Sequence, residues 1–419
     1  MARLARAHGW VRVRGPTVLS RDSLLLVSTS YPQTGDGSEA AGAFVADFAQ
    51  AASRLVPVQV VAPGASESVE QTLSGIRVYR FASSGRPLSL LSPKNVADWP
   101  AIALTLASLR RQVLAADHDD RVAHTLALWV LPSGWAARSL ARRSGVPYSV
   151  WALGSDIWTL GRIPGLRSML RGVIRGASHC FADGLQLCGE AAALSGRAFE
   201  FLPSSRQLSF TRTRPLADKP PYRLLFLGRW HPNKGVDLLL EALRLLPDAT
   251  WSRIAGVHIA GGGPMEDLVK ERVANLQEAG RAVRLDGFLD NAAASEALAD
   301  ADFLLLPSRI ESIPVVFSDA MKMGLPVVAM PVGDLPALLA EGGVGTLAGA
   351  VSAAAFASAI IAALGAPPSG GAMRMQDMAR RFDPASCAAS VLARLGMVMP
   401  TASSAVEPKG GRTLWTTLA

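Results

Sequence analysis

Two carboxylates stand eight positions apart in one stretch: Glu311 and Asp319, in Asp302–Met330, DFLLLPSRIESIPVVFSDAMKMGLPVVAM. Two cations, Arg229 and Lys234, share the Gly-bounded loop GRWHPNKG, Gly228–Gly235. Lys is a compact charge and Arg a planar fork, so a loop carrying both, between a buried strand and a helix N-terminus, suits a phosphate-bearing ligand. His231 in the same loop reads as a bystander. Acids on the loop that follows a strand sit where open α/β sheets bind ligands.

Those side chains need a framework of strand, loop and helix. Phe303–Leu306 and Pro326–Ala329 are short apolar runs of β type around a segment of helical character, the makings of a parallel βαβ unit. The first strand is predicted to end at Pro307, leaving Ser308, Arg309 and Glu311 on the loop at its carboxyl edge. A helix is then predicted from near Ile313 and Pro314, with Pro314 in its first turn and Asp319 one to two turns inside. Tyr222–Leu227 reads as the strand before the cationic loop. Val236, Leu239, Leu240, Leu243 and Leu246 line one side of the helix after it. Val257–Ala260 leads into GGGP, Gly261–Pro264, expected to open another helix.

The first half alternates in the same way. Leu24–Ser28 reads as a buried parallel strand. It feeds the loop Tyr31–Ser38, where Gly35 and Gly37 would let a ligand approach the backbone. The next helix is predicted to put Ala40, Phe44, Phe48, Ala51 and Leu55 on one face. Further strands read at Val58–Ala62, Ile76–Phe81, Val122–Leu128, Tyr148–Leu153 and His179–Ala182. The polar, Pro-bearing stretch 203–221 separates the two series. The expected fold class is α/β, with two Rossmann-like, doubly wound domains facing a central cleft.

The string PSRIESIPVVFSDAMKMGLPVVA resembles the pattern PSxxESxxxxxxEAMxxGxPVVA of nucleotide-sugar-dependent glycosyltransferases with the GT-B fold, in particular the large retaining family 4. GRWHPNKG resembles the family's GRxxxxKG element, GGGP its GxGP element and RLDGF, Arg284–Phe288, its VxFxGF element. LPSG, GVPY and GSD within Trp129–Trp158 match a further family segment. The resemblance implies that Glu311 contacts the donor sugar, that Asp319 holds the ribose, and that Arg229 and Lys234 grip the donor diphosphate. It also places Gly228, Gly263, Ser308, Ser312 and Ile313 at the donor, and Gly35, Gly37, Gly154 and Asp156 at the acceptor or cleft. Asp156 reads equally well as a helix N-cap. Five positions depart from the pattern. Asp319 replaces Glu, Leu128 and Leu153 each a His, the one at Leu153 commonly touching the donor sugar, Asp334 a Gly, and Ala337 a Glu.

On that basis the expected organisation is a basic arm (1–22), an acceptor-side domain (23–205), a linker (206–221) and a donor-side domain (222–384). A crossover helix (385–398) and a flexible tail (399–419) complete it. The expected activity is retaining transfer of a hexosyl-type sugar from a UDP- or GDP-sugar to the hydroxyl of a glycan, a lipid-linked molecule or a small molecule. No metal and no cofactor beyond the nucleotide sugar is expected. A non-catalytic sugar-nucleotide-binding partner and a GT-B epimerase or phosphorylase are the alternatives.

Composition agrees with a globular chain, hydrophobic residues being 49% of the total. A formal net charge of +8 favours anionic partners, sugar nucleotides and anionic membrane surfaces among them. Nucleic acid is not expected, because no aromatic-basic platform, zinc spacing or helix-turn-helix pattern accompanies the charge. Three cysteines without metal-ligand or CxxC spacing point to a reducing cytoplasm, and the expected location is cytoplasmic, peripheral at the inner face of the plasma membrane. The first 22 residues carry five arginines but no apolar core of a secretory signal. Gly349–Gly365 reads as an Ala-rich core helix.

Overall fold

The computed structural model describes residues 21–33, 39–85, 88, 91–208 and 211–399. Two sheets organise it. The first contains β1 (Ser23–Val27), β2 (Val58–Gly64), β3 (Ser68–Gln71), β4 (Arg77–Ala82), β5 (Val122–Leu128), β6 (Tyr148–Ala152), β7 (Cys180–Ala182) and β8 (Glu200–Phe201), in the order β3-β4-β2-β1-β5-β6-β7-β8. All pairs are parallel except β3 with β4. The second contains β9 (Tyr222–Leu227), β10 (Ile254–Ala260), β11 (Val283–Asp286), β12 (Phe303–Leu306), β13 (Val327–Ala329) and β14 (Gly345–Leu347), all parallel, in the order β11-β10-β9-β12-β13-β14. In each sheet the order turns back beside the first strand, between β1 and β5 and between β9 and β12, so each is doubly wound and has a crevice at that reversal.

The helices are α1 (Glu39–Ser53), α2 (Trp99–Ala116), α3 (Trp135–Ser144), α4 (Ser155–Trp158), α5 (Pro164–Gly176), α6 (Leu185–Ser195), α7 (Val236–Leu245), α8 (Asp248–Trp251), α9 (Glu266–Glu278), α10 (Asn291–Asp300), α11 (Val315–Lys322), α12 (Leu335–Gly342), α13 (Ala353–Ala363), α14 (Ala372–Arg380) and α15 (Pro384–Arg394). Alternate side chains of β1 serve the two faces of the first sheet, as a period of two requires. Leu24 and Leu26 pack with Phe44 and Phe48 of α1, whereas Leu25 and Val27 pack with Leu109 of α2 and Leu140 of α3. Helix α15 returns to the first sheet, where Ala388, Val391 and Leu392 join the α1 core. In the second sheet, Val236, Leu239, Leu240, Leu243 and Leu246 are all buried, so the apolar stripe read from the sequence is the packed face.

Several local expectations needed correction. Leu55 lies beyond the end of α1 and is exposed, so the helix stops two residues before the expected stripe does. Pro314 is the N-cap of α11, and Pro264 precedes α9 by two residues; the ring fixes φ without joining either first turn. Strands β3, β8 and β14 carry no apolar run and were not predicted. Arg21, assigned to the basic arm, pairs with Asp117 (3.0 Å) and Asp120 (2.9 Å). The expected tail, Met399 apart, lies outside the described residues. Nor is 206–221 a free tether: Arg212 donates to the carbonyls of Leu298, Ala301 and Met323, and Arg214 pairs with Asp302 at 2.9 Å. Among the described residues no single helix is long and apolar enough to cross a membrane.

Candidate active site

The loops after β9 and β12 meet at the reversal point of the second sheet. Gly235 ends the cationic loop at φ +69, and a Cβ there would lie 1.9 Å from the carbonyl oxygen of Pro307, so only glycine lets the two loops close. Backbone and side chain then clip them together. The Arg309 amide donates to the Asn233 carbonyl (2.8 Å), and its guanidinium binds the Asp237 carboxylate in a fork, 2.7 and 2.6 Å, at the start of α7. That pairing holds the Asp237 carboxyl below its usual range. Gly228 begins the same loop. Gly263 packs beneath it at φ +147, where a Cβ would meet the Trp230 carbonyl oxygen at 2.8 Å.

This closure places three predicted residues together. Lys234 Nζ forms an ion pair with Glu311 Oε1, and Ser308 Oγ donates to that same oxygen at 3.1 Å. Glu311 Oε2 has no hydrogen-bond partner among the described residues. Arg229 is exposed and makes neither ion pair nor side-chain hydrogen bond among the described residues. The site therefore presents one unpaired cation, one cation shared with an acid, and a helix N-terminus at a sheet's carboxyl edge. His231 keeps its modest role, accepting from the Asn233 amide through Nδ1 (3.2 Å), while burial, then Arg229 and Lys234, lower its pKa. Arg309 and Asp237 were not among the predicted site residues, although Arg309 sits inside the PSRIES string.

Other predicted residues are placed differently. Asp319 has no exposed surface: both Nε (3.0 Å) and Nη2 (2.6 Å) of Arg206 bind its Oδ2, and its Oδ1 is enclosed without a hydrogen-bond partner among the described residues. The ribose contact expected of an open carboxylate does not hold in this arrangement. Asp156 is likewise buried and bound by backbone, its Oδ2 accepting from the Val130 amide (2.6 Å) and its Oδ1 from Leu153 (3.3 Å) and Ile157 (3.1 Å). It ties two loops of the first sheet instead of facing a sugar hydroxyl. Gly154, beside it, has φ +97 and packs under the Trp158 ring. Ile313 belongs to the second core. Gly35 and Gly37 lie outside the described residues.

Ser312 points away from the cationic loop and toward the first sheet. Its hydroxyl donates to Asp183 Oδ1 at 2.6 Å, Ser204 donates to Oδ2 at 3.3 Å, and the Asp334 carboxylate accepts from the Gln186 (3.0 Å) and Leu185 (2.5 Å) amides at the start of α6. Asp183 follows β7, whereas Ser312 and Asp334 follow β12 and β13, so the carboxyl edges of the two sheets face each other across this junction. The departure of Asp334 from the family pattern thereby has a structural account: it is an N-cap reaching across from the other sheet.

Burial raises the Asp183 pKa to about 7, with Asp156 and Glu311 adding to the rise and the two serines opposing it. The folded form therefore binds a proton that the unfolded form releases near pH 3.9. Stability contributed by that proton is full below about pH 4 and is lost as pH rises through 7. His124, whose pKa burial lowers to about 4, works in the opposite sense, but only below its unfolded pKa near 6.5. Between pH 6 and 8 the wild-type melting temperature should consequently fall more steeply than that of Asp183→Asn; parallel slopes in scanning calorimetry would remove Asp183 from this account.

The comparisons with known proteins bear on these elements. Residues 221–366 match the family described as "Glycosyl transferases group 1". A D-inositol 3-phosphate glycosyltransferase of Corynebacterium glutamicum (strain R) is 34% identical over 138 residues, 32% of this chain and 33% of that protein. The putative teichuronic acid biosynthesis glycosyltransferase TuaC of Bacillus subtilis (strain 168) is 28% identical over 224 residues, 51% and 54% of the two chains. The chain thus aligns with between a third and just over half the length of these two relatives. Among solved structures, sucrose-phosphate synthase from Thermosynechococcus elongatus matches with a TM-score of 0.67 at 18% identity, covering 88% of this chain and 97% of the other. Anabaena Alr3699/HepE in complex with UDP-glucose matches with 0.67 at 17%, covering 90% and 100%. Residues 221–366 match the group 1 glycosyl transferase model, and the chain as a whole has the GT-B fold of the solved structures it matches.

Proposed function

We propose that this protein is a retaining glycosyltransferase that moves a hexosyl-type sugar from a UDP- or GDP-sugar to an acceptor hydroxyl in glycan or glycolipid synthesis. The observation that carries the reading is the Lys234–Glu311–Ser308 cluster on the loops it shares with Arg229, which has no ion pair among the described residues, at the point where the second sheet reverses order. The neighbouring HepE structure holds UDP-glucose, and the relatives are named for inositol phosphate and teichuronic acid glycosylation.

In this reading the donor diphosphate lies against Arg229, Lys234 and the start of α7, and Glu311 Oε2 accepts from a sugar hydroxyl. The bond from the anomeric carbon to the phosphate oxygen breaks while the bond to the acceptor oxygen forms. The acceptor proton passes to the leaving phosphate, so no second carboxylate is required as base. Negative charge grows on that phosphate in the transition state, where fixed cations stabilise it more than in the bound donor. Those cations supply the charge that a metal ion would otherwise bring.

A saturation-transfer NMR screen of UDP-, GDP- and ADP-sugars, followed by an assay for slow donor hydrolysis, tests the proposal. Contact with a UDP- or GDP-sugar together with release of its nucleotide diphosphate is the expected result. Binding without any cleavage would favour the non-catalytic reading, and a strict need for inorganic phosphate would favour a phosphorylase.

A further inference from the structure

Helices α2, α3 and α5 form one continuous layer over the first sheet, α2 against α3 and α3 against α5. No aspartate or glutamate occurs in Trp99–Ala116, Trp135–Ser144 or Ile157–Ala182, the segments that build it. Arg162 precedes α5, and Arg167, Arg171 and Arg175 follow at four-residue spacing along it, one face of the helix. Arg142 and Arg143 end α3. None of the six is in an ion pair among the described residues, while Arg171 and Arg175 donate only to the carbonyls of Leu194 and Ser195. A protein surface of mixed charge normally intersperses acids with such a run.

Apolar side chains emerge on the other flank of α5, the one turned toward α2 and away from the α6 carbonyls that Arg171 and Arg175 reach. An apolar groove of about 530 Å³ runs between the N-terminal turns of α2 and α5, lined by Trp99, Ile102, Leu106, Ile163, Leu166 and Met169. Trp99 is 56% exposed and Met169 43%, and the Trp99 indole is steadied by donation to the Pro93 carbonyl at 2.9 Å. Val96 (67%), three residues before Trp99, is a further exposed apolar side chain at this end of α2. Both helix N-termini lie at the carboxyl edge of the first sheet, the edge that faces the second.

We propose that the α2–α3–α5 face docks on an anionic lipid bilayer, with Trp99 and Met169 at the headgroup boundary and the arginines among lipid phosphates. Charge complementarity identifies the occupant. An amphipathic tryptophan next to apolar side chains suits the interface, and a wide spread of guanidiniums, with Glu67 on Arg111 of α2 as the acid packed against the layer, suits many headgroups at once better than one forked acidic partner. Docked in this way, the protein turns the edge of its cleft toward lipid, which would present a lipid-linked acceptor. That last consequence rests on the glycosyltransferase reading, and the docking itself does not.

The test uses the full chain with vesicles of phosphatidylcholine alone and of phosphatidylcholine with roughly one-third phosphatidylglycerol, separated by flotation. Wild type should partition onto the anionic vesicles only. Arg162→Glu/Arg167→Glu should weaken that partition by at least about tenfold, and Trp99→Ser/Met169→Ser by about tenfold, while the latter keeps wild-type retention on a soluble-polyanion column. The N-terminal arginines are common to all variants and cannot account for a difference between them. Equal partition onto neutral vesicles, no partition at all, or an apolar double variant that floats like wild type would overturn the proposal, the last result marking a general polyanion patch. Nucleotide-sugar contact, read by NMR in each variant, keeps a failure of docking distinct from a failure of the glycosyltransferase reading.

Discussion

Arg229→Ala and Lys234→Ala are each expected to lower turnover of a sugar nucleotide by about 10²–10³-fold, the range of one lost preorganised charge contact. Free UDP or GDP should bind each variant with a smaller loss, because the charge they meet grows as the diphosphate departs. Their geometry suggests unequal secondary effects. Arg229 has no partner to strand among the described residues, whereas removing Lys234 leaves Glu311, a largely buried carboxylate, with only the Ser308 hydroxyl. Lys234→Ala should therefore also disturb the sugar contact, and Lys234→Arg should recover little, since a longer fork cannot occupy the place of a compact ammonium beside Glu311. The double variant should lose less than the product of the single losses, both cations acting on the same phosphates. Rates measured with a cleavable donor, against calorimetric affinities for free nucleotide, decide the matter. Normal turnover in both single variants would falsify the leaving-group role.

Arg206→Ala is expected to destabilise the fold by about 3–5 kcal/mol, the usual consequence of stripping one partner from a buried ion pair. The guanidinium lies against a carboxylate with no exposed surface, and Asp319 Oδ1 has no hydrogen-bond partner among the described residues, Lys322 acting on it only through charge. Lys322, one turn on, anchors the same connection by donating to Ser205 Oγ at 2.6 Å. Asp319→Glu adds a methylene to a closed site and should cost about 1–3 kcal/mol. Replacing both partners by leucine and methionine of similar bulk should restore most of the loss. Urea unfolding reads all three. If the Arg206→Ala midpoint matches wild type, the pair is not structural, and Asp319 becomes available again as a ribose ligand.

Much of the architecture was legible because strands and helices of this type announce themselves locally. The β12–loop–α11 unit follows from an apolar tetrapeptide, a proline and a helical run, and both loops that carry Arg229, Lys234 and Glu311 fall directly after such strands. Short strands without an apolar run escaped, as β3 and β14 show. Their assignment depends on a neighbour's edge and not on their own side chains.

The sequence by itself determined which loops would hold the cations and the first acid, since strand ends and helix starts are set by local propensity and periodicity. Tertiary structure alone decided what each carboxylate does. Glu311 meets a lysine 77 positions away, Asp319 an arginine 113 positions away, and Asp334 the amides of a helix 148 and 149 positions away. Asp156 reads from the sequence equally as a ligand contact or a helix N-cap, and in the fold its oxygens are taken by three backbone amides. A buried carboxylate must find donors wherever the packed chain supplies them, because leaving it unpaired costs several kcal/mol, on the order of the whole margin of folding. Those donors come from segments distant in sequence, so the acid's spacing says where it stands and its neighbours in space say whether it holds a substrate or the fold.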